Sequence, residues 1–134
     1  MEKALDIIKY RSAKETDIPF IYSTWIKALY NGNRSLRLTD YGKFAARYSK
    51  IIDSLLNESS VTIACIEGYE DEIKGYAVRS GQTLHFVYVK RQWRKQGIAS
   101  FMTLGIKQVS HLTNLGERII IKKDIKYNPF YKEN

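Results

Sequence analysis

Apolar positions along this chain fall into short runs suited to strands and longer stretches with helical spacing. Leu5–Arg11 reads as a first strand. Thr16 then stands where a helix N-cap is expected, with Asp17 in the first turn and Pro19 where a missing N–H costs nothing. Ile18, Ile21, Tyr22, Trp25 and Leu29 recur at helical period, so a helix is predicted over Thr16–Leu29, ended by Asn31-Gly32-Asn33. Thr39 or Asp40 can cap a second helix whose face is Phe44, Tyr48, Ile51, Ile52 and Leu55, stopping around Asn57–Ser60.

Val61–Glu67, Ile73–Arg79 and Thr83–Val89 read as strands, and their short polar connections argue for an antiparallel meander. A third helix is predicted from Ile98 to Leu112, on the stripe Ile98, Phe101, Met102, Gly105, Val109 and Leu112. A strand at Arg118–Lys122 follows the break at Asn114–Gly116, and the polar, aromatic tail Lys123–Asn134 has no assigned element. The order β-α-α-β-β-β-α-β predicts an α/β fold: a mixed, mostly antiparallel sheet flanked by helices.

With 134 residues and no linker or repeat, the chain is expected to form a single domain over 1–134. Its 44% hydrophobic and 27% charged residues suit an ordered core rather than disorder. No apolar run approaches the roughly 20 residues that span a bilayer, and Met1–Ala4 lacks the basic-then-apolar order of a signal peptide. A cytoplasmic protein with no membrane partner is the expectation. Cys65 is the sole cysteine, which excludes an internal disulfide and, with two histidines, the usual structural zinc sets. No metal is expected. The net charge of +8 favours an anionic partner without naming it.

The segment from Leu84 to Ser100 carries the chemistry. A strand ends at Val89, a basic turn follows, and a helix begins near Gly97. Unpaired N–H groups at a helix start favour phosphate, Gly97 allows close backbone approach, and Ala99 and Ser100 keep the first turn open. Arg91, Arg94 and Lys95 add positive charge. The plainer reading is a loop glycine beside a solvated basic rim; the strand-turn-helix setting favours an anion site.

In this stretch the chain resembles the GCN5-related N-acetyltransferase (GNAT) superfamily. Arg94-Lys95-Gln96-Gly97-Ile98-Ala99 matches the signature Arg/Gln-x-x-Gly-x-Gly/Ala, Val87-Tyr88-Val89 looks like the end of the family's fourth strand, and Ile73–Ala77 resembles its third. The resemblance covers about residues 5–122. It implies acetyl-CoA as cofactor, its pyrophosphate held by Arg94, Lys95, Gln96, Gly97, Ile98, Ala99 and Ser100. It further implies that the backbone of Val87, Tyr88 and Val89 meets the pantetheine arm. The acyl group would enter between the fourth and fifth strands, and an amine would attack the thioester directly.

His85 is the candidate general base, since an imidazole accepts a proton near neutral pH and its position resembles a catalytic histidine of serotonin N-acetyltransferase. A histidine satisfied on the sheet face is the alternative. The resemblance also implies that the Val89 N–H serves the oxyanion and that a tyrosine protonates the thiolate. Tyr127 and Tyr131 are the candidates, although too little chain remains for the family's usual last helix and strand pair. His111 reads as a surface residue and Cys65 as a buried, inert thiol.

For the acceptor, Lys27, Arg34, Arg37, Lys43, Arg47 and Lys50 are interleaved with Tyr22, Trp25, Tyr30, Tyr41 and Tyr48. Aromatics beside cations suit a nucleotide or nucleic acid, so Trp25, Tyr30, Arg34 and Arg37 are the substrate-binding candidates. Ordinary helix packing and a solvated basic face would produce the same pattern. The Phe20–Trp25 block resembles a segment of small acyltransferase-like proteins encoded by bacteriophages. Two functions therefore stand: an N-acyltransferase acting on a primary amine, and a catalytically degenerate module of the same fold that binds nucleic acid through its basic surface. A shortened C-terminus would leave a sheet edge, which a homodimer is one way to cover.

Overall fold

The structure, a computed structural model, describes residues 7–32, 40–110 and 126–127. Strand β1 (Ile8–Ser12) leads through a 3-10 turn (Glu15–Asp17) into helix α1 (Ile18–Gly32). Helix α2 (Tyr41–Glu58) follows, then β2 (Ser60–Ile66), β3 (Gly75–Ser80) and β4 (Thr83–Val89). A second 3-10 turn (Arg91–Trp93) precedes the short α3 (Ile98–Met102), and β5 (Gln108–Val109) and β6 (Lys126–Tyr127) complete the described elements. The strands form one six-stranded sheet in chain order. The β1–β4 pairings are antiparallel, whereas β4–β5 and β5–β6 are parallel. The expected mixed, mostly antiparallel sheet flanked by helices is the observed one.

Two cores lie on the two faces of this sheet. Against α1 and α2 pack Ile63, Tyr76, Val78 and Phe86. Against α3 pack Ala64, Ala77, Leu84, Val87 and Val89, with Ile98, Met102 and Ile106. Strict alternation along β4 would put Leu84 with Phe86. A bulge prevents this: Phe86 pairs with Val78 but Leu84 pairs with Arg79, so His85 is the extra residue and Leu84 swings to the α3 face.

Helix starts obey the chemistry expected of them, with one correction. Asp40 caps α2 by accepting from the Lys43 N–H at 3.1 Å. Thr16 is not the cap before α1. Instead the Asp17 carboxylate reaches back to the Lys14 N–H at 2.6 Å, and Lys14 occupies the cap position.

The larger correction concerns the third helix, which ends at Met102 rather than Leu112. Thr103 bonds back to the Ala99 carbonyl, Gly105 takes φ +79, and Arg79 donates to the Met102 carbonyl at 3.1 Å, capping the helix end with a cation. Gln108 and Val109 then join β4 as a parallel strand. Of the predicted stripe Ile98, Met102 and Val109 are buried but Phe101 is exposed, and Ile106, which lay outside the stripe, is buried on non-helical backbone. The strand expected at Arg118–Lys122 lies outside the described residues.

Candidate active site

Strand β4 is paired along its whole length on one side and over only its first residues on the other. The parallel contact with β5 covers Thr83 and Leu84, and the Ser110 N–H closes it on the Leu84 carbonyl at 2.9 Å. Among the described residues no strand pairs with this edge of β4 from His85 to Val89. The Lys90 N–H donates to the Lys74 carbonyl at 2.8 Å, which sets the hydrogen-bonding phase of the β3–β4 ladder. In that phase Phe86 and Tyr88 bond to β3, while Val87 and Val89 turn their N–H and C=O groups toward the open edge. The side chains of Val87 and Val89 are buried under α3, and Tyr88 faces the helices, edge-on to Phe20. What these residues offer a ligand is therefore their backbone.

The open edge runs directly into the basic turn. Arg94 donates from Nε to the Val89 carbonyl at 2.8 Å, tying the turn to the end of β4. Lys95 adopts φ +64, a left-handed conformation costly for a residue with a side chain, and Gly97 follows at φ +84 as the cap of α3. An added Cβ on Gly97 would meet nothing within 4 Å, so the space before this backbone is open. Arg91, Arg94, Lys95, Gln96 and Ser100 are exposed around it, while Ile98 is anchored in the core. Lys74 lies 5.1 Å over the Trp93 ring, adding a cation beside the turn. A ligand with amides along its length and an anionic end suits this arrangement.

His85 is wholly buried at the bulge, with Nδ1 2.6 Å from Ser110 Oγ and Nε2 2.9 Å from Ser80 Oγ. Neither serine is singled out by the sequence: Ser110 falls inside the predicted third helix, and only the parallel strand brings it to β4. Tyr127 has its backbone in β6, two strands from β4. Tyr131, Arg34 and Arg37 lie outside the described residues.

The aromatics expected to meet the substrate divide. Trp25 is fully buried and stacks on Phe86, with ring centroids 5.1 Å apart and planes 8° from parallel. Its ring belongs to the core and is not a platform for a base, which corrects that expectation. Tyr30 sits edge-on to Tyr41 at 4.8 Å and near Phe44 at 5.2 Å, where α1 and α2 meet. Tyr41 is exposed, and the Arg47 guanidinium lies 5.8 Å over the neighbouring Tyr48 ring.

No family model matches this chain, and no curated protein matches it in sequence. Solved structures do share its fold. A protein of Pyrococcus furiosus assigned as an acetyl transferase superposes with a TM-score of 0.58 at 16% identity, over 91% of this chain and 80% of that one. A predicted acetyltransferase from Clostridium acetobutylicum, solved with acetyl-CoA, gives 0.55 at 14% identity over 90% of each chain. A protein of Clostridium difficile 630, also assigned as an acetyltransferase, gives 0.50 at 13% over 92% and 78%. The chain thus has the fold found in proteins assigned as acetyltransferases. At these identities the likeness is one of architecture. Among the described residues, no helix is long and apolar enough to cross a membrane.

Proposed function

We propose that this protein is a GNAT-type N-acyltransferase that moves an acetyl group from acetyl-CoA to a primary amine within a ternary complex. The observation that carries the reading is the continuity of the β4 edge with the turn at Lys95–Gly97. Outward N–H groups at Val87 and Val89 suit the amides of a pantetheine arm. The left-handed backbone at Lys95 and Gly97, with open space ahead and exposed cations around it, suits a pyrophosphate. Acetyl-CoA supplies an activated thioester when bound.

The chain's own residues would do the rest. The Val89 N–H, aimed at the open edge, is placed to donate to a developing oxyanion. His85 is assigned to the proton leaving the amine, through partners described below. Tyr127 or Tyr131 is assigned to the thiolate. The exposed Tyr41 beside Tyr30, with Arg47 over Tyr48, supports an anionic or nucleic-acid-linked acceptor at the α1–α2 end.

Isothermal titration of the protein with acetyl-CoA tests this reading, with Gly97→Glu as the control. Micromolar binding that the variant loses is the expected result. Absence of acetyl-CoA binding in the unmodified protein would overturn it in favour of a binding module acting through the basic surface, for which salt-dependent nucleic-acid affinity is the signature.

A further inference from the structure

The two hydrogen bonds of His85 belong to a longer chain. Ser80 Oγ, 2.9 Å from His85 Nε2, is also 3.1 Å from Ser59 Oγ. The sequence Ser110–His85–Ser80–Ser59 therefore crosses from the residue after β5 through the β4 bulge and β3 to the residue between α2 and β2. Exposure grades along it: Ser110 and His85 are buried, whereas Ser80 and Ser59 are half-buried. At its outer end Ser59 lines an open groove of about 390 Å³, together with Ser12, Leu56 and Ser60. At its inner end Ser110 sits where the β4–β5 contact stops and the open edge of β4 begins.

Every member can accept a proton on one side and release one on the other. A hydroxyl has one donor and two acceptor sites, and a neutral imidazole has one of each. We propose that Ser110, His85, Ser80 and Ser59 form a proton conduit from the β4–β5 junction to solvent at the start of β2. Resting on the acyltransferase reading, it serves the proton that an attacking amine must lose.

The transfer balances. As the amine nitrogen bonds to the acyl carbon and the carbon–sulfur bond breaks, the amine proton passes through water along the open edge of β4 to Ser110 Oγ, and the Ser110 proton to His85 Nδ1. The Nε2 proton passes to Ser80 Oγ, the Ser80 proton to Ser59 Oγ, and the Ser59 proton to water. No residue changes its net composition, and reversal of the hydroxyl and imidazole orientations resets the chain. Ser110 is the member nearest the open edge of β4; Ser80 and Ser59 are relay residues that act through His85. The bulge is what makes this arrangement, because only the extra residue of β4 lets one imidazole span between β3 and β5.

The test needs no knowledge of the acceptor. The full chain is labelled with ¹⁵N-histidine, and His111→Gln distinguishes the two imidazoles. Solvent exchange of the His85 ring N–H is compared, as a protection factor, with the Phe86 and Tyr88 amides bonded to β3. A conduit predicts ring protection at least tenfold below that of the amides. It also predicts a rise to their level in Ser80→Ala, with recovery in Ser80→Thr, which keeps the hydroxyl. Ring protection equal to the amides in the unmodified protein, or unchanged in Ser80→Ala, would overturn the proposal. Ser59→Ala provides the same test should Ser80→Ala fail to fold. Titration with acetyl-CoA on the same samples separates the two failures: a conduit without acetyl-CoA binding overturns its catalytic use, and binding without a conduit leaves the acyltransferase reading standing.

Discussion

Arg94 donates from its Nε to the carbonyl of Val89 at 2.8 Å, so the most suggestive cation of the basic turn is first of all a tether. The bond closes the turn on the last residue of β4 and holds Lys95 and Gly97 in their left-handed conformations. A charged hydrogen bond of this kind contributes about 1.5–3 kcal/mol. Arg94→Ala is expected to weaken acetyl-CoA binding by roughly 10- to 100-fold. Arg94→Lys, which cannot reproduce the planar guanidinium, should recover little of it. Titration calorimetry on the three proteins checks this.

Gly97 separates fold from binding. Its φ of +84 penalises any side chain, yet the space before it is empty. Gly97→Ala should lower stability by about 1–2 kcal/mol and leave the secondary structure unchanged by circular dichroism. Gly97→Glu should be similarly folded but lose acetyl-CoA binding, because its carboxylate projects into the anion space. A Gly97→Glu variant that bound acetyl-CoA normally would remove the turn from the site.

Trp93 offers a direct reporter. It is half-buried beside the turn, whereas Trp25 is sealed in the core. Acetyl-CoA is expected to change the indole fluorescence, and Trp93→Phe to abolish that change while keeping the affinity. A response that survived in Trp93→Phe would place the ligand elsewhere.

The Arg11–Asp17 pair secures the β1–α1 corner. Its two parallel bonds, at 2.7 and 3.0 Å, are almost closed to solvent, and Asp17 also accepts from the Lys14 N–H. The Arg11 guanidinium holds the Asp17 carboxyl below the ordinary range. Asp17→Ala, which strands a buried guanidinium, should cost about 3–5 kcal/mol in chemical denaturation. The pair's contribution is complete above the unfolded aspartate pKa of about 3.9 and is lost as the pH falls through the lower folded value.

Tyr76 acts at the opposite end of the pH scale. Its hydroxyl donates to the Ile21 carbonyl at 3.0 Å and lies 2.6 Å from Thr24 Oγ1, inside the α1–sheet core. Burial pushes its ionisation well above the ordinary tyrosine range. Its linked stability is full below pH of about 10 and falls as the pH rises above that value, because only the unfolded chain releases the proton there. Tyr76→Phe should cost about 1–2 kcal/mol near neutrality and show a smaller alkaline loss of stability.

Local pattern accounts for much of what was legible in advance. The strand Thr83–Val89, the Asp40 cap, the first two helices and the β2–β4 meander follow from side-chain period and turn chemistry, which act over a few residues. The turn from Arg94 to Ser100 was readable for the same reason: glycine and small residues between a strand and a helix leave a local trace. The third helix misled because Ile98, Met102 and Val109 face the sheet whether the backbone is helical or extended.

Tertiary contacts decided the rest. The Arg79 bond to the Met102 carbonyl and the left-handed Gly105 ended α3 early, and the demand of β4 for a partner drew Gln108 and Val109 into the sheet. Trp25 lies both on the apolar face of the first helix and among the basic residues, and its stacking on Phe86, far along the chain, settles its ring in the core. Ser80, His85 and Ser110 become neighbours only through the bulge and the parallel strand. Sequence by itself determined which segments want to be strands, helices and a basic, glycine-bearing turn, because those preferences are local. Which faces meet, where a helix stops and which hydroxyls flank His85 depend on pairings between distant segments, whose energies no local pattern records.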